Sequence, residues 1–333
     1  MFVAGLRRVG SGALLASAGG DGQPPLPPPF KFVCAQFARM EILVAGGDGF
    51  IGRPLSAELA ERGHDVTAMS RSEPEESLPD GVDHATGDVT DYDSIESVVD
   101  GHDAVVNLVA LSPLFSPSGG EKKHFAVHLE GTENLVAAAE EAGADRFLQQ
   151  SALGADPDGP THYIRAKGQA EEAVRASNLD WTITRPSVVF GDGGEFVKFT
   201  KLLAPPYVTP LPGGGKTRFQ PIHVGDLVPM LADALLADDH VGETYDIGGP
   251  EKLTMAEVAR LGHRADGRGV NVLPIPMSLS KIGLSTLDYV PGFPFGIDQY
   301  RSLQMDNTVD DNDVSAFGVD ESELTTLSSF LSV

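Results

Sequence analysis

One short stretch, residues 42–52, constrains the fold of this chain more than any other. It reads ILVAGGDGFIG, an apolar run that breaks abruptly into Gly46, Gly49 and Gly52. A helical pattern follows the last glycine, and a second apolar strand is expected over residues 65–69. Strand, glycine turn, helix and strand in this order predict a Rossmann-type βαβ unit.

A turn that approaches a pyrophosphate closely needs residues without a Cβ atom. The helix after the turn offers unpaired N–H groups and a positive dipole end to the phosphates. We therefore expect Gly46, Gly49, Phe50, Ile51 and Gly52 to contact a dinucleotide. The alternative is a strand, turn and helix that pack closely and bind nothing.

The residues after the second strand bear on which dinucleotide is bound. NAD sites usually place Asp or Glu there for the ribose 2′-hydroxyl, whereas NADP sites supply Arg for the 2′-phosphate. This chain has Arg71 at that position, two residues before Glu73. We therefore expect NADP(H) as the preferred cofactor. NAD(H) is the alternative if Arg71 is an ordinary solvated side chain.

Length and composition set broad limits. A chain of 333 residues with 41% hydrophobic residues can bury a full core, and we expect one large or two unequal lobes. No apolar run approaches the ~20 residues that a bilayer-crossing helix needs, so direct membrane insertion is not expected. The single cysteine, Cys34, excludes an internal disulfide, and we expect no metal site.

The net charge is −24, from 24 basic and 48 acidic side chains. Such a surface repels nucleic acid and anionic lipid, so neither is expected as a direct partner. The acidic, lysine-poor composition resembles that of proteins from salt-rich cytoplasms, where salt screens self-repulsion. We therefore expect a halophilic prokaryotic source and a cytoplasmic location, with any membrane attachment made through another protein.

We predict that the protein is more stable in multimolar KCl than at low ionic strength, because screening reduces repulsion between its carboxylates. Thermal unfolding of the full chain in both solutions tests this. Equal midpoints would show that the acidic surface brings no dependence on salt.

Residues 1–39 differ from the rest of the chain. They carry four basic side chains against one acid, and they are rich in Gly and Pro around PPLPPP at residues 24–29. The interpretation we favour is that translation starts at Met40, directly before the first strand, and that the leader is an over-extended reading frame. The alternatives are a disordered tail and a short signal peptide, in which Arg7 and Arg8 precede a weak apolar run.

Further strands follow at regular spacing. Residues 82–89 read as a short strand that ends at Asp88, which could accept a hydrogen bond from adenine or cap the helix that begins near residue 91. Residues 104–110 form a nearly continuous apolar run typical of a central parallel strand, and residues 146–152 form the next strand. This alternation predicts an α/β fold with a doubly wound parallel sheet covered by helices on both faces.

Tyr163 and Lys167 stand four residues apart in a helical segment beyond these strands. The spacing places the phenol and the ammonium on one helical face. The adjacent positive charge is expected to favour the phenolate and to lower the pKa of Tyr163 from ~10. Downstream of a glycine-rich turn, this pair predicts acid/base chemistry.

Together these motifs resemble the short-chain dehydrogenase/reductase superfamily, in its extended or atypical branch, over residues 40–333. The resemblance implies that Tyr163 and Lys167 are the acid/base pair and that Lys167 also holds ribose hydroxyls. It assigns further cofactor contacts by position along the dinucleotide: Asp88 and Val89 at the adenine, Val109 and Ala110 beside the central strand, and Pro186 and Val188 against the nicotinamide.

Within the superfamily, residues 151–155, 185–191 and 298–307 are most similar to the family of complex I accessory subunit 9 and its prokaryotic relatives. That subunit is the dinucleotide-binding member of the alpha subcomplex of NADH:ubiquinone oxidoreductase. The similarity implies a respiratory NADH–quinone oxidoreductase as one partner of this chain.

Two residues depart from the superfamily pattern. Extended members carry a catalytic Ser or Thr after the fifth strand, whereas this chain has Ala152 there and Ser151 one position early. His128 stands where Asn usually precedes Glu-Gly-Thr. The hydroxyl that should orient a substrate carbonyl is therefore displaced or missing, and Ser151 is expected to orient it only in part.

Three other polar side chains and two loops carry weaker signals. His223 is expected to be a buried structural histidine. Lys216 and Arg218 either meet an anionic substrate or pair with nearby carboxylates. The Pro- and Gly-rich segments 205–215 and 291–296 are turns around a pocket or plain loops.

We expect a Rossmann domain from residues 40–190 plus about 220–250, and a smaller C-terminal substrate lobe from residues 191–219 plus 251–333. The favoured function is an NAD(P)-dependent oxidoreductase that acts on a small or lipid-like carbonyl or alcohol. The alternatives are a non-catalytic NADP(H)-binding structural or sensor subunit and a nucleotide-sugar epimerase or dehydratase.

Overall fold

The computed structural model describes residues 39–114, 117, 119–276, 297–302 and 304–333. The leader of residues 1–38 and the segment 291–296 lie outside the described residues. The strands are β1 (Glu41–Ala45), β2 (Asp65–Ser70), β3 (Val82–Thr86), β4 (Ala104–Asn107), β5 (Arg146–Gln150), β6 (Asp180–Pro186), β7 (Val189–Phe190), β8 (Tyr207–Pro212), β9 (Arg218–Phe219), β10 (Ile222–His223), β11 (Thr244–Ile247), β12 (Leu253–Thr254) and β13 (Val270–Ile275).

The principal helices lie between these strands or after them. They are α1 (Gly52–Glu61), α2 (Tyr92–Val99), α3 (Gly131–Ala142), α4 (His162–Ala176), α5 (Phe196–Leu203), α6 (Val224–Leu236) and α7 (Met255–Ala265). A π-helical turn, Phe125–Glu130, runs directly into α3. Short helices follow at Ile297–Ser302 and Leu327–Leu331.

Seven strands form one sheet in the order β11-β6-β5-β4-β1-β2-β3, and every neighbouring pair is parallel. The predicted doubly wound α/β fold is therefore confirmed. The predicted strand over residues 104–110 is too long, because it ends at Asn107. The Asn107 side chain accepts a hydrogen bond from the Val109 N–H at 3.1 Å, which turns the chain out of the sheet.

Each face of the sheet carries its own buried core. On one face the sheet packs with α1 and α6, through side chains such as Leu55 and Leu231. On the other face it packs with α2, α3 and α4, through side chains such as Ile95 and Leu135. Burial on both faces explains why strands such as β1 and β4 read as continuous apolar runs.

A smaller group of elements lies beside the main sheet. β8 and β13 pair in parallel. A small buried core joins these strands to α5 and α7, and it contains Phe199 from α5, Leu211 from β8 and Met255 from α7. The end of the chain behaves differently from the expected C-terminal lobe. Val314 and Leu324 are buried in the core on the α6 face of the main sheet, so this segment supports the nucleotide-binding sheet.

No helix in the described part of the chain is long and apolar enough to cross a membrane.

Candidate functional site

The carboxyl ends of the parallel strands meet at one edge of the sheet. Ligands of open α/β sheets bind outside this edge. The predicted site residues follow the strand ends in turn: Gly46 after β1, Arg71 after β2, Asp88 after β3, Val109 after β4, Ser151 after β5, and Pro186 at the end of β6. The fold therefore brings residues from separate parts of the sequence to one edge.

The glycine turn has the close backbone packing that the sequence predicts. Gly46 has φ +80°, and its N–H donates to the Met69 carbonyl at 2.8 Å. A Cβ atom at Gly52 would lie 2.0 Å from the Gly46 carbonyl oxygen, so only glycine fits there. No side chain caps α1, whose N-cap residue is Ile51. The Arg53 N–H donates to the Gly49 carbonyl at 3.0 Å and Pro54 has no N–H, so the Gly52 N–H is the group at the start of the helix that can meet a phosphate. The turn fits a dinucleotide.

Phe50 connects this turn to the loop after β7. A Cβ atom at Gly194 would lie 3.0 Å from Phe50 Cζ, and one at Gly191 would lie 3.5 Å from Phe50 Cε2. The ring therefore lies directly over these glycines. The predicted contact of Phe50 with a dinucleotide stays a prediction.

Arg71 is exposed and forms no ion pair with any side chain that the structure describes. The nearest acidic residue in the sequence is Glu73, and its Oε2 lies 3.5 Å from His84 Nδ1 instead. Sequence reasoning missed Arg53, whose guanidinium donates to the carbonyls of Ser77 at 2.8 Å and Glu76 at 2.5 Å. Arg53 thus ties the loop after β2 to the start of α1.

Asp88 holds the turn after β3. Its Oδ1 accepts hydrogen bonds from the Thr90 N–H at 3.0 Å and the Thr90 hydroxyl at 2.8 Å. The alternative that Asp88 caps α2 is wrong, because Asp91 occupies the N-cap position. Val89 is buried, and its carbonyl accepts from Asn134 Nδ2 at 2.8 Å.

A buried amide network shapes the loop after β4. Asn107, which is 2% exposed, donates through Nδ2 to Thr132 Oγ1 and to Gln149 Oε1, each at 3.0 Å. Thr132 in turn donates to the His128 carbonyl at 2.6 Å. Because Asn107 Oδ1 also accepts from Val109, the network fixes the backbone that carries Val109 and Ala110.

The segment after β6 is held by a residue far along the chain. Asn307 Oδ1 accepts from the Val188 N–H at 2.9 Å and from the Ser187 hydroxyl at 2.7 Å. The carbonyl of Pro186 accepts from the Leu153 N–H at 3.2 Å. Pro186 and Val188 are therefore fixed in the segment predicted to lie against a nicotinamide ring.

Tyr163 and Lys167 lie one turn apart on α4, which Thr161 caps by accepting from the Ile164 N–H at 3.2 Å. Lys167 is 2% exposed, and its Nζ donates to the Gln150 carbonyl at 3.0 Å. Burial lowers the pKa of Lys167 to about 8, although the Glu171 carboxylate opposes this shift. Burial also raises the pKa of Tyr163, so the expected lowering by Lys167 is wrong for this geometry.

Ser151 follows Gln150 directly, and its N–H donates to the Thr184 carbonyl at 2.7 Å. Its Oγ is buried and has no hydrogen-bond partner among the described residues. Ala152 is also buried. The hydroxyl of Ser151 therefore has unused hydrogen-bonding capacity at the end of β5, although it stands one position before the residue used by extended members.

Two histidines that sequence reasoning left out of the site pack against Tyr163. The ring centroids of His124 and His128 lie 5.6 and 5.2 Å from the Tyr163 centroid. Their i, i+4 spacing was visible in the sequence and is one that could hold a metal. Burial lowers the pKa of His124 to about 4 and the pKa of His128 well below its ordinary value.

A charged cluster lies beside these rings. Asp298 Oδ2 accepts from the backbone N–H of His162 at 2.9 Å and lies 2.7 Å from its Nδ1, while Oδ1 accepts from Arg301 at 2.9 Å. Glu121, His162 and Asp298 each place one possible metal-ligand atom within 4.8 Å of the others. The carboxylate of Asp298 is already engaged by His162 and Arg301, so the cluster also satisfies itself without an ion.

The weaker candidates have structural roles. Arg218 Nη2 lies 2.7 Å from Asp306 Oδ2, which confirms the carboxylate-pairing alternative for this residue. Lys216 is exposed. His223 is half-buried and caps α6, because its Nδ1 accepts from the Gly225 N–H at 3.2 Å.

Residues 46–201 match a family model described as NAD(P)H-binding. The NADH dehydrogenase (ubiquinone) 1 alpha subcomplex subunit 9 of Arabidopsis thaliana mitochondria is 30% identical over 291 residues, which cover 81% of this chain and 71% of that protein. The chain belongs to the NAD(P)-binding short-chain dehydrogenase/reductase and epimerase family. The resemblance of its motifs to this family is thereby confirmed.

Other similar proteins in this family include enzymes. A divinyl chlorophyllide a 8-vinyl-reductase of Cucumis sativus is 30% identical over 269 residues, which cover 76% of this chain and 63% of that protein. The solved structure of a nucleoside-diphosphate-sugar epimerase from Staphylococcus aureus has a TM-score of 0.66 at 20% identity and covers 88% of this chain and all of that one. At this identity the structural similarity concerns the fold alone.

The buried His124 makes the protein sensitive to acid. Its pKa of about 4 in the folded state lies below the ordinary histidine value of 6.5, so the unfolded chain binds more protons between these values. The stability that comes from neutral His124 is present above pH ~6.5 and is lost as the pH falls towards 4. We predict that His124→Gln reduces the loss of unfolding free energy between neutral and acid pH by about 2 kcal/mol.

Denaturant unfolding of both proteins across this pH range measures the effect. His102→Gln, on the loop after α2, is the matched control for removing one histidine. The same pH dependence in the His124→Gln variant and the wild type would contradict the assignment.

Proposed function

We propose that this protein is an NADP(H)-dependent oxidoreductase that acts on a small or lipid-like carbonyl or alcohol. The observation that carries this proposal is the position of Tyr163 and Lys167, one turn apart on α4 at the sheet edge that also bears the glycine turn. Lys167 is buried and held to the Gln150 carbonyl. A nucleotide bound only for structural support needs neither a phenol nor a buried ammonium at this place.

The chain has groups for each part of the cofactor. A bound nicotinamide dinucleotide supplies or accepts a hydride. The glycine turn and the Gly52 N–H at the start of α1 would hold the pyrophosphate, and Arg71 would pair with the 2′-phosphate. Val109 and Ala110 on one side, and Pro186 and Val188 on the other, border the nicotinamide end.

Tyr163 moves the proton. Because burial raises its pKa, the phenol stays protonated at neutral pH and can donate its proton to the oxygen of a carbonyl substrate. Lys167 would hold the ribose hydroxyls. Tyr163 would take the proton back in the reverse direction, so its position suits both carbonyl reduction and alcohol oxidation.

A second candidate is a subunit that binds NADP(H) without turnover. Ala152 removes the hydroxyl that orients a substrate, and the subunit 9 relative belongs, by its name, to an NADH dehydrogenase. In that case a respiratory NADH–quinone oxidoreductase is the partner, and the protein attaches to the membrane surface through it. A nucleotide-sugar epimerase or dehydratase has less support, since such enzymes normally use the Ser or Thr hydroxyl that is absent at residue 152.

Titration of the full chain with NADPH and with NADH in high salt, followed by nicotinamide fluorescence, tests the proposal. Arg71→Ala should weaken NADPH binding by about tenfold or more and leave NADH binding unchanged, because a charge-assisted pair to the 2′-phosphate is lost. Tyr163→Phe should bind NADPH normally and lose about a hundredfold or more in the turnover of any active carbonyl in a panel.

Arg260→Ala, at an exposed position on α7, is the matched control for removing a positive charge. Equal affinity for both nucleotides with no effect of Arg71→Ala would contradict the NADP preference. If NADPH binds tightly but is not oxidised by any carbonyl, in both the wild type and Tyr163→Phe, the result would favour a subunit that binds the nucleotide without turnover.

A further inference from the structure

His124 and His128 form a buried pair beside the proposed acid. His124 is the N-cap residue of the π-helical turn before α3, His128 lies four residues later within that turn, and each is 1% exposed. Their rings stack with centroids 5.5 Å apart and an interplanar angle of 13°. π-helical turns occur frequently at functional sites, where they change the direction of side chains.

The Tyr163 ring meets both imidazoles edge to face. The interplanar angles are 77° with His124 and 88° with His128. Both imidazoles are therefore direct neighbours of the proposed proton donor. His128 also stands where the family usually has Asn, so this polar surface distinguishes the chain from the family pattern.

One ring nitrogen of each histidine has a polar neighbour and the other has none among the described residues. His128 Nε2 accepts from the Leu111 N–H at 3.4 Å, which leaves the ring proton on Nδ1. His124 Nε2 lies 3.6 Å from Glu121 Oε2, which favours the proton on Nε2 and leaves Nδ1 as an acceptor. Both Nδ1 atoms are buried without a hydrogen-bond partner among the described residues. One unused donor and one unused acceptor remain next to Tyr163.

We propose that His124 and His128 bind the oxygen of an uncharged ketone or secondary alcohol beside Tyr163, and so replace the hydroxyl that is missing at residue 152. An alcohol oxygen can accept from the His128 Nδ1–H and donate to His124 Nδ1, whereas a ketone oxygen uses the His128 donor. This inference rests on the proposed oxidoreductase function and names its substrate-binding group.

The charges around the pair favour an uncharged ligand. Glu121, Asp298 and His162 face His124, and Lys167 faces both rings. The carboxylates of Glu121 and Asp298 repel an anionic ligand, while burial, reinforced by the nearby charge of Lys167, lowers the pKa of both imidazoles and favours their neutral form. A ketone without a carboxylate therefore suits the pair better than the same ketone with one.

Binding can be measured without turnover. The full chain, labelled with ¹⁵N-histidine and saturated with NADP⁺, is titrated with acetophenone and with its anionic analogue p-acetylbenzoate. Acetophenone should shift the signals of His124 and His128 in a saturable way, and p-acetylbenzoate should shift them at least about tenfold more weakly. His124→Asn and His128→Asn assign the two signals. If acetophenone shifts neither the His124 signal nor the His128 signal, the proposal is overturned.

Turnover gives an independent readout. His128→Leu should raise KM for acetophenone about tenfold or more at unchanged NADPH affinity, because Leu has no N–H donor. His128→Asn, which keeps an N–H donor, should recover part of the loss, and His102→Leu is the matched control. Thermal unfolding of each variant shows that it is folded.

The outcomes separate the two proposals. Acetophenone reduction with wild-type KM in His128→Leu overturns the role of the histidine pair while the oxidoreductase function stands. Histidine shifts without any reduction of acetophenone support the binding pair and count against the oxidoreductase function.

Discussion

The close approach of Gly52 to the Gly46 carbonyl oxygen is the constraint on which the nucleotide site depends. It brings the start of α1 directly against the end of β1, where any larger residue would collide with backbone. The hydrogen bond from Gly46 to the Met69 carbonyl fixes the same turn to β2. The Gly52 N–H at the start of α1 is thereby held at the edge of the sheet, and the remaining site residues are placed relative to it.

The proposed acid is positioned by a second buried contact. Glu171 on α4 is 1% exposed and accepts from Arg185 Nε at 2.8 Å and from Arg175 at 2.9 Å. A buried carboxylate that lost its partners would be strongly destabilising. Arg175 lies on α4 itself, so the pair with Arg185 is the one that fixes α4 against β6. Lys167 lies one turn before Glu171 and Tyr163 one turn earlier, so the register of the helix sets the position of both. The proposed acid/base pair and the buried Glu171 therefore lie on the same face of α4.

The sheet and the location of the site could be predicted from the sequence. Both rest on local signals, namely the glycine turn and the spacing of apolar residues along strands and helices. Contacts between distant residues could not be predicted in this way. Asn307 holds Val188, and Asp298 holds His162, across more than a hundred residues, and only the folded chain brings them together. The early end of β4 depends on a side-chain hydrogen bond of Asn107, which no pattern of hydrophobicity shows. The four-residue spacing of His124 and His128 is visible in the sequence, but their burial against Tyr163 is not.

A crystal structure of the full chain with NADP⁺ and acetophenone would test the central claim most directly. The account predicts the pyrophosphate on the glycine turn and the Gly52 N–H at the start of α1, the 2′-phosphate at Arg71, and the ketone oxygen within hydrogen-bonding distance of Tyr163 and His128. The nicotinamide ring should lie against Pro186 and Val188. A nucleotide whose nicotinamide end points away from Tyr163 would contradict the account, even if the pyrophosphate occupied the glycine turn.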